Sequence, residues 1–144
     1  MSSADYTVYA PARPYFDLVR GALGDLVDGA HFFDIVDERI DYEVRYAFPG
    51  WPRVIHGRSA LMEQFLAYCA NIALDAADHL IVNRVDGGAV IIIEYELRGR
   101  INATGAAYEN RFASVIELAG RKIVRWRDYM DSLAAWTILT AGRS

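Results

Sequence analysis

The sequence predicts an α+β domain in which N-terminal helices pack on the concave side of a curved, mainly antiparallel sheet, forming a cone-shaped barrel. Apolar residues recur at helical spacing through the first half, alternate at a spacing of two through most of the second, and turn residues separate the alternating runs. Helices followed by a series of antiparallel strands bury their apolar stripes by lying on one face of the sheet.

After a loose start, Tyr15, Leu18, Val19, Ala22, Leu23 and Leu26 form one stripe between Arg13 and Val27. Pro14 falls in the first turn, where its missing N–H breaks no helical bond. Asp28 is placed to cap a short second helix from Gly29 to about Asp34. From Ile40 to Phe48 the residues alternate, with Tyr42, Val44, Tyr46 and Phe48 on one face and Asp41, Glu43 and Arg45 on the other, as in a half-buried strand. Pro49-Gly50-Trp51-Pro52 ends it, and Arg53 to His56 reads as a short edge piece. Ser59 precedes a third helical stripe, Leu61, Phe65, Tyr68 and Ile72, running to about Leu74.

Strands follow at His79 to Val85, Ala89 to Ile101, Tyr108 to Leu118 and Lys122 to Met130. Asp86-Gly87-Gly88, Asn102-Ala103-Thr104-Gly105 and Ala119-Gly120-Arg121 turn the chain between them, and Asp131 to Leu139 reads as a closing helix.

A chain of 144 residues buries about two thirds of its unfolded surface in one core. Fifteen Lys and Arg are scattered among nineteen acids, so nucleic acid is not an expected partner. The local basic cluster Arg121, Lys122, Arg125 and Arg127 reads as a solvated strand face. One cysteine, Cys69, excludes an internal disulfide. No segment reaches the roughly 18 uninterrupted apolar residues of a membrane span, and the first nine residues lack a signal pattern. A cytoplasmic location without a membrane partner is expected.

The helix start Gly57-Arg58-Ser59-Ala60-Leu61, the stretch Tyr108-Glu109-Asn110-Arg111-Phe112 and the string from Lys122 through Trp126-Arg127-Asp128-Tyr129 to Asp131 resemble the SnoaL-like branch of the nuclear-transport-factor-2-like superfamily. The resemblance covers nearly the entire chain, as a single SnoaL-like domain over 1–144. It implies a conical α+β barrel with a deep apolar pocket, often dimerising through the sheet, so a homodimer is expected. The superfold hosts isomerases, dehydratases, epoxide hydrolases, polyketide cyclases, phenazine-biosynthesis proteins and non-catalytic binders, so fold alone leaves activity open. Limonene epoxide hydrolase carries its catalytic Asp in a matching Trp-Arg-Asp-Tyr string, and phenazine proteins carry a Glu there; both comparisons imply Asp128. The epoxide hydrolase's Arg-x-Asp is replaced by Glu94-Tyr95-Glu96, which argues against epoxide opening. The steroid isomerase's acids would fall near Phe48 and near Ala113 or Ser114, which excludes that mechanism.

Alternation in the last strand places Val124, Trp126, Asp128 and Met130 on one face, apolar except for one acid. Poor solvation beside Trp126 would raise the pKa of Asp128 toward proton-transfer range. Glu96, on a face shared with Glu94 and Arg98, is the candidate second carboxylate, and Arg111 is a candidate for orienting the ligand. His56 is placed to meet a ligand at the barrel mouth, while Tyr15, Trp51, Phe65 and Trp126 are candidates to wall a pocket for a flat ring. His31 and His79 stand isolated, no metal-ligand spacing occurs, and no glycine-rich phosphate loop is present, so neither metal nor cofactor is expected.

Together these readings predict a cofactor-independent acid/base enzyme, of isomerase, cyclase or hydrolase type, acting on a small hydrophobic cyclic or polyketide-like molecule. The alternative is a non-catalytic protein of the same fold that binds a hydrophobic ligand or docks a partner.

Overall fold

The alternating second half assembles as one six-stranded sheet, in a computed structural model that describes residues 5–140. A 3₁₀ stretch, Thr7–Ala12, leads into α1 (Arg13–Leu23), followed by α2 (Phe32–Ile35), β1 (Val36–Val44), β2 (Val54–His56) and α3 (Arg58–Asn71). Then come β3 (Ile72–Val85), β4 (Val90–Ile101), β5 (Ala107–Ala119), β6 (Lys122–Met130) and α4 (Ser132–Thr140). The strand order is β2-β1-β6-β5-β4-β3; β1 and β6 run parallel and every other neighbouring pair is antiparallel. The sheet curls without closing, leaving β2 and β3 as its edges.

α1 forms where its stripe predicts, with Pro14 in the first turn and Tyr15, Phe16, Val19, Ala22 and Leu23 buried. Its neighbours depart from expectation. The residues before it are not loose but wind into the 3₁₀ stretch that buries Tyr9 and Ala12. The cap of α2 is His31, not Asp28: His31 Nδ1 accepts from the Phe33 amide while the Asp34 carboxylate accepts from the His31 amide. Asp28 instead accepts from Arg121 Nε at 2.8 Å.

β1 lies four residues earlier than the alternation suggests, because the ladder to β6 already pairs Val36 with Ile123. Past Val44 the chain turns away, yet Tyr46 and Phe48 still reach the same interior.

α3 stops at Asn71, and Ile72 and Leu74 open β3 with no intervening loop. The sequence hid this boundary because Leu61, Phe65, Tyr68 and Ile72 fit helical spacing while Ile72 and Leu74 fit strand spacing equally well. Ser59 provides no cap; the residue before the helix is Gly57, without a side-chain bond. The abrupt change to strand needs Gly99 in β4. A Cβ there would overlap the Ala73 carbonyl and the Leu74 backbone, so only glycine lets β3 approach closely at this point.

Phe16, Phe32, Phe33, Ile93, Ile116 and Trp126 are fully buried between the helices and the sheet. On the other face, Arg125 donates to Glu43 and Arg127 to Glu117, each with a contact of 2.6 Å. Arg125 and Arg127 therefore lie on a face interleaved with acids, as expected, whereas Arg121 and Lys122 depart from that reading by donating to the Asp25, Asp28 and Asp34 carbonyls of the segment before β1. No helix among the described residues is long and apolar enough to cross a membrane.

Candidate functional site

β6 runs through the middle of the sheet, and register places Asp128 between Val44 of β1 and Ser114 of β5. Both ladders slip between Ile123 and Arg125: against β5, Val124 is an extra residue on β6, while against β1 the extra residues lie on β1 between Val36 and Asp41. Strict alternation therefore fails at that point: Ile123 takes the interior position expected for Val124, while Trp126, Asp128 and Met130 keep theirs.

Asp128 is only 4% exposed. Its Oδ1 accepts from Ser114 Oγ at 2.8 Å and from Trp126 Nε1 at 2.9 Å. Tyr95 Oη lies 2.9 Å from Ser114 Oγ. The Ser114 proton is committed to the carboxylate, so Tyr95 is the donor in that second contact. A chain thus runs from Tyr95 through Ser114 to Asp128. Oδ2 carries neither bond, and Asp128 lines the cavity.

Burial pushes the Asp128 carboxyl up to about 6, against the opposing pull of its bonds from Trp126, Ser114 and Tyr42. Desolvation dominates because no cation among the described residues offsets it. Ser114→Ala removes a donor that favours the ionised form, so the Asp128 midpoint should rise further above 6 in a carbon-detected NMR titration.

The cavity beside Asp128 lies between the sheet, α1, α3 and α4, and a water-sized centre can range over about 70 Å³ of it. That leaves room for a few waters or a compact ligand. Tyr15, Tyr42, Tyr46, Tyr68, Tyr95 and Tyr108 line it, and Asp128 is the one carboxylate among the described residues that does so. Burial raises every one of these phenols, Tyr108 to about 12, so they remain neutral hydrogen-bonding groups. Ala135 and Leu139 of α4 cover one side. Asp131 starts that helix by accepting from the Ala134 amide at 3.1 Å.

Of the residues the sequence singled out, Asp128, Tyr15, Phe65 and Trp51 meet in this cavity. Trp126 does not line it. Its ring is 0% exposed, stacked on Tyr42 with centroids 5.8 Å apart, so it positions Asp128 from behind. Glu96 alternates with the interior residues Tyr95 and Leu97, which puts its carboxylate on the outer face, and its β5 partner in register, Arg111, is exposed there too. Neither reaches the cavity, so no second acid there raises the Asp128 pKa. His56 lies on edge strand β2 with its side chain 76% exposed, paired with Asp41 at 2.6 Å outside the cavity.

Ser114 and Tyr95 were missed as site residues. Only Ser114 carried a signal of its own: Tyr108, Asn110, Ser114 and Ile116 form the buried row of β5, and a small hydroxyl in such a row marks a polar neighbour, though not which one.

A second hollow is bounded by Val36, Glu38, Arg39, Arg58 and Lys122. Its lysine is already bound to the Asp28 and Asp34 carbonyls at 2.9 and 2.6 Å. Among the described residues, no group of three or more His, Cys, Asp or Glu side chains is arranged to hold a metal.

The curled six-stranded sheet with helices on its inner face carries a family signature as well: residues 25–126 match the SnoaL-like domain family. The chain belongs to that family. Uncharacterized protein YesE of Bacillus subtilis is 32% identical over 100 residues, which span 69% of this chain and 68% of that protein. Among solved structures, a Bacillus subtilis protein provisionally described as an isomerase superimposes with a TM-score of 0.73 at 24% identity, covering 96% of this chain and 98% of its own. A phenazine biosynthesis-related protein from Pseudomonas aeruginosa gives 0.67 at 19% identity, covering 100% and 91%. At these identities the structural likeness establishes the nuclear-transport-factor-2-like fold.

Proposed function

We propose that the protein is a cofactor-independent acid/base enzyme that moves a proton on a small, largely apolar cyclic or polyketide-like molecule, with Asp128 as the transferring group. The observation that carries this reading is the Asp128 carboxylate, fixed through Oδ1 by Ser114 and Trp126 and raised to about 6 by burial at the wall of an apolar cavity. A carboxylate with a pKa near neutrality is a stronger base than one in water and still ionises at neutral pH. The description of one structural neighbour as an isomerase supports the same class of chemistry.

The test is a panel of cyclic ketones, aromatic lactones and terpene-like alcohols, screened for turnover and for displacement of the Asp128 carboxyl NMR signal. Ligands that bind, move that signal and react in the wild type support an enzyme. Ligands that bind without reaction, leaving Asp128 indifferent, would make the protein a carrier. The same reading includes a homodimer joined through the outer sheet face, where Tyr129 is exposed beside Arg127. Sedimentation at micromolar concentration should show twice the chain mass; a monomer would remove that part.

A further inference from the structure

We infer that Tyr68 is a specificity-determining residue of this cavity: its hydroxyl donates to an oxygen acceptor on the bound molecule and so selects ketones and similar oxygen-bearing rings over hydrocarbons of the same shape. The inference rests on the proposed role of the cavity as a ligand site.

Tyr68 and Gln64 are four residues apart on α3, hence on one helix face, and both line the cavity. The Tyr68 ring packs edge-on against Phe65, with centroids 6.2 Å apart. Its hydroxyl is buried and has no hydrogen-bond partner within the protein among the described residues. By contrast, the Tyr95 hydroxyl donates to Ser114 and the Tyr108 oxygen accepts from Asn110 Nδ2 at 3.3 Å.

A buried hydroxyl without a partner is a net penalty that phenylalanine would avoid while filling the same space, so packing does not explain the oxygen. Recognition does. Burial above all, with smaller contributions from Tyr108, Cys69, Tyr46 and Asp128, holds the Tyr68 phenol in its neutral, proton-donating form. Ionised Asp128 only accepts hydrogen bonds, whereas Tyr68 brings a donor. The two walls are therefore complementary in polarity. A ketone matches both in polarity, with an acceptor oxygen for Tyr68 and C–H groups for the carboxylate wall.

The test compares cyclohexanone with methylenecyclohexane, which has the same shape but lacks the acceptor, in wild type and Tyr68→Phe, with affinities from NMR titration. The variant should bind cyclohexanone about tenfold more weakly, hold methylenecyclohexane at least as well, and melt at the same temperature or up to about 4 °C higher. Equal effects on both probes, or none on the ketone, overturn the assignment. A purely structural role would instead lower the melting temperature and weaken both probes together. In the wild type alone, the carbonyl stretch of bound cyclohexanone should lie below its value in hexane; an unshifted band contradicts the proposal even if the variant fails to fold. If both probes bind and move the Asp128 signal while Tyr68→Phe treats them alike, only the Tyr68 assignment falls. If neither probe binds and Asp128 ignores both, the ligand-site reading falls with it.

Discussion

Asp128→Asn should reduce turnover of any reactive cavity ligand by about a thousandfold or more, while making the protein more stable at neutral and alkaline pH. The amide keeps the shape and can still accept from Ser114 and Trp126, but it cannot take or return a proton.

The stability gain follows from proton linkage. In the folded state the carboxyl titrates at about 6, above its ordinary 3.8, so the native chain binds this proton more tightly than the unfolded one. The associated stability is fully present below about 3.8, is lost as pH rises to about 6, and stays lost above it. A shift of this size corresponds to about 3 kcal/mol. Thermal melts from pH 4 to 8 should therefore show a decline in the wild type that is missing in Asp128→Asn, leaving the variant about 1–3 kcal/mol ahead at pH 8. Retained activity, or a variant less stable at pH 8, would contradict this account of the carboxylate.

Gly99→Ala should lower stability by about 3 kcal/mol without touching the cavity's polar groups. The added methyl group would meet the backbone of Ala73 and Leu74, which cannot rotate away as a flexible side chain can. Relief requires β3 to separate from β4 where the chain passes directly from α3 into strand. Gly21 provides the control: it is exposed in α1, and a methyl group there has nothing within 4 Å. Gly21→Ala should be neutral or stabilising by up to about 1 kcal/mol. Urea unfolding of the two variants checks the contrast; equal midpoints would deny the close approach at Gly99.

The architecture was legible wherever one periodicity ruled. β6 runs over the predicted Lys122–Met130, and α1, β4 and β5 fall within a few residues of their alternating or helical stretches. Legibility failed where two patterns shared residues, as at Ile72, or where ladder register outweighed local alternation, as at Val36 and Val124.

Asp128 could be found because an acid in an apolar row stands out, whatever lies across the sheet. Its supporting bonds could not, since Ser114 and Tyr95 reach it only through pairing of three strands that sequence spacing does not specify. Glu96, Arg111 and His56 were drawn in by their chemistry. Alternation already set Glu96 apart from Tyr95 and Leu97; which of the two faces looked inward was settled only when the helices packed against one of them.

The most direct measurement is a carbon-detected NMR titration of the Asp128 carboxyl in the ligand-free protein, assigned through loss of the signal in Asp128→Asn. The account predicts a midpoint near 6, well above that of exposed carboxylates. A midpoint at or below about 4 would mean that water reaches the group freely, and the proposed proton transfer would lose its physical basis.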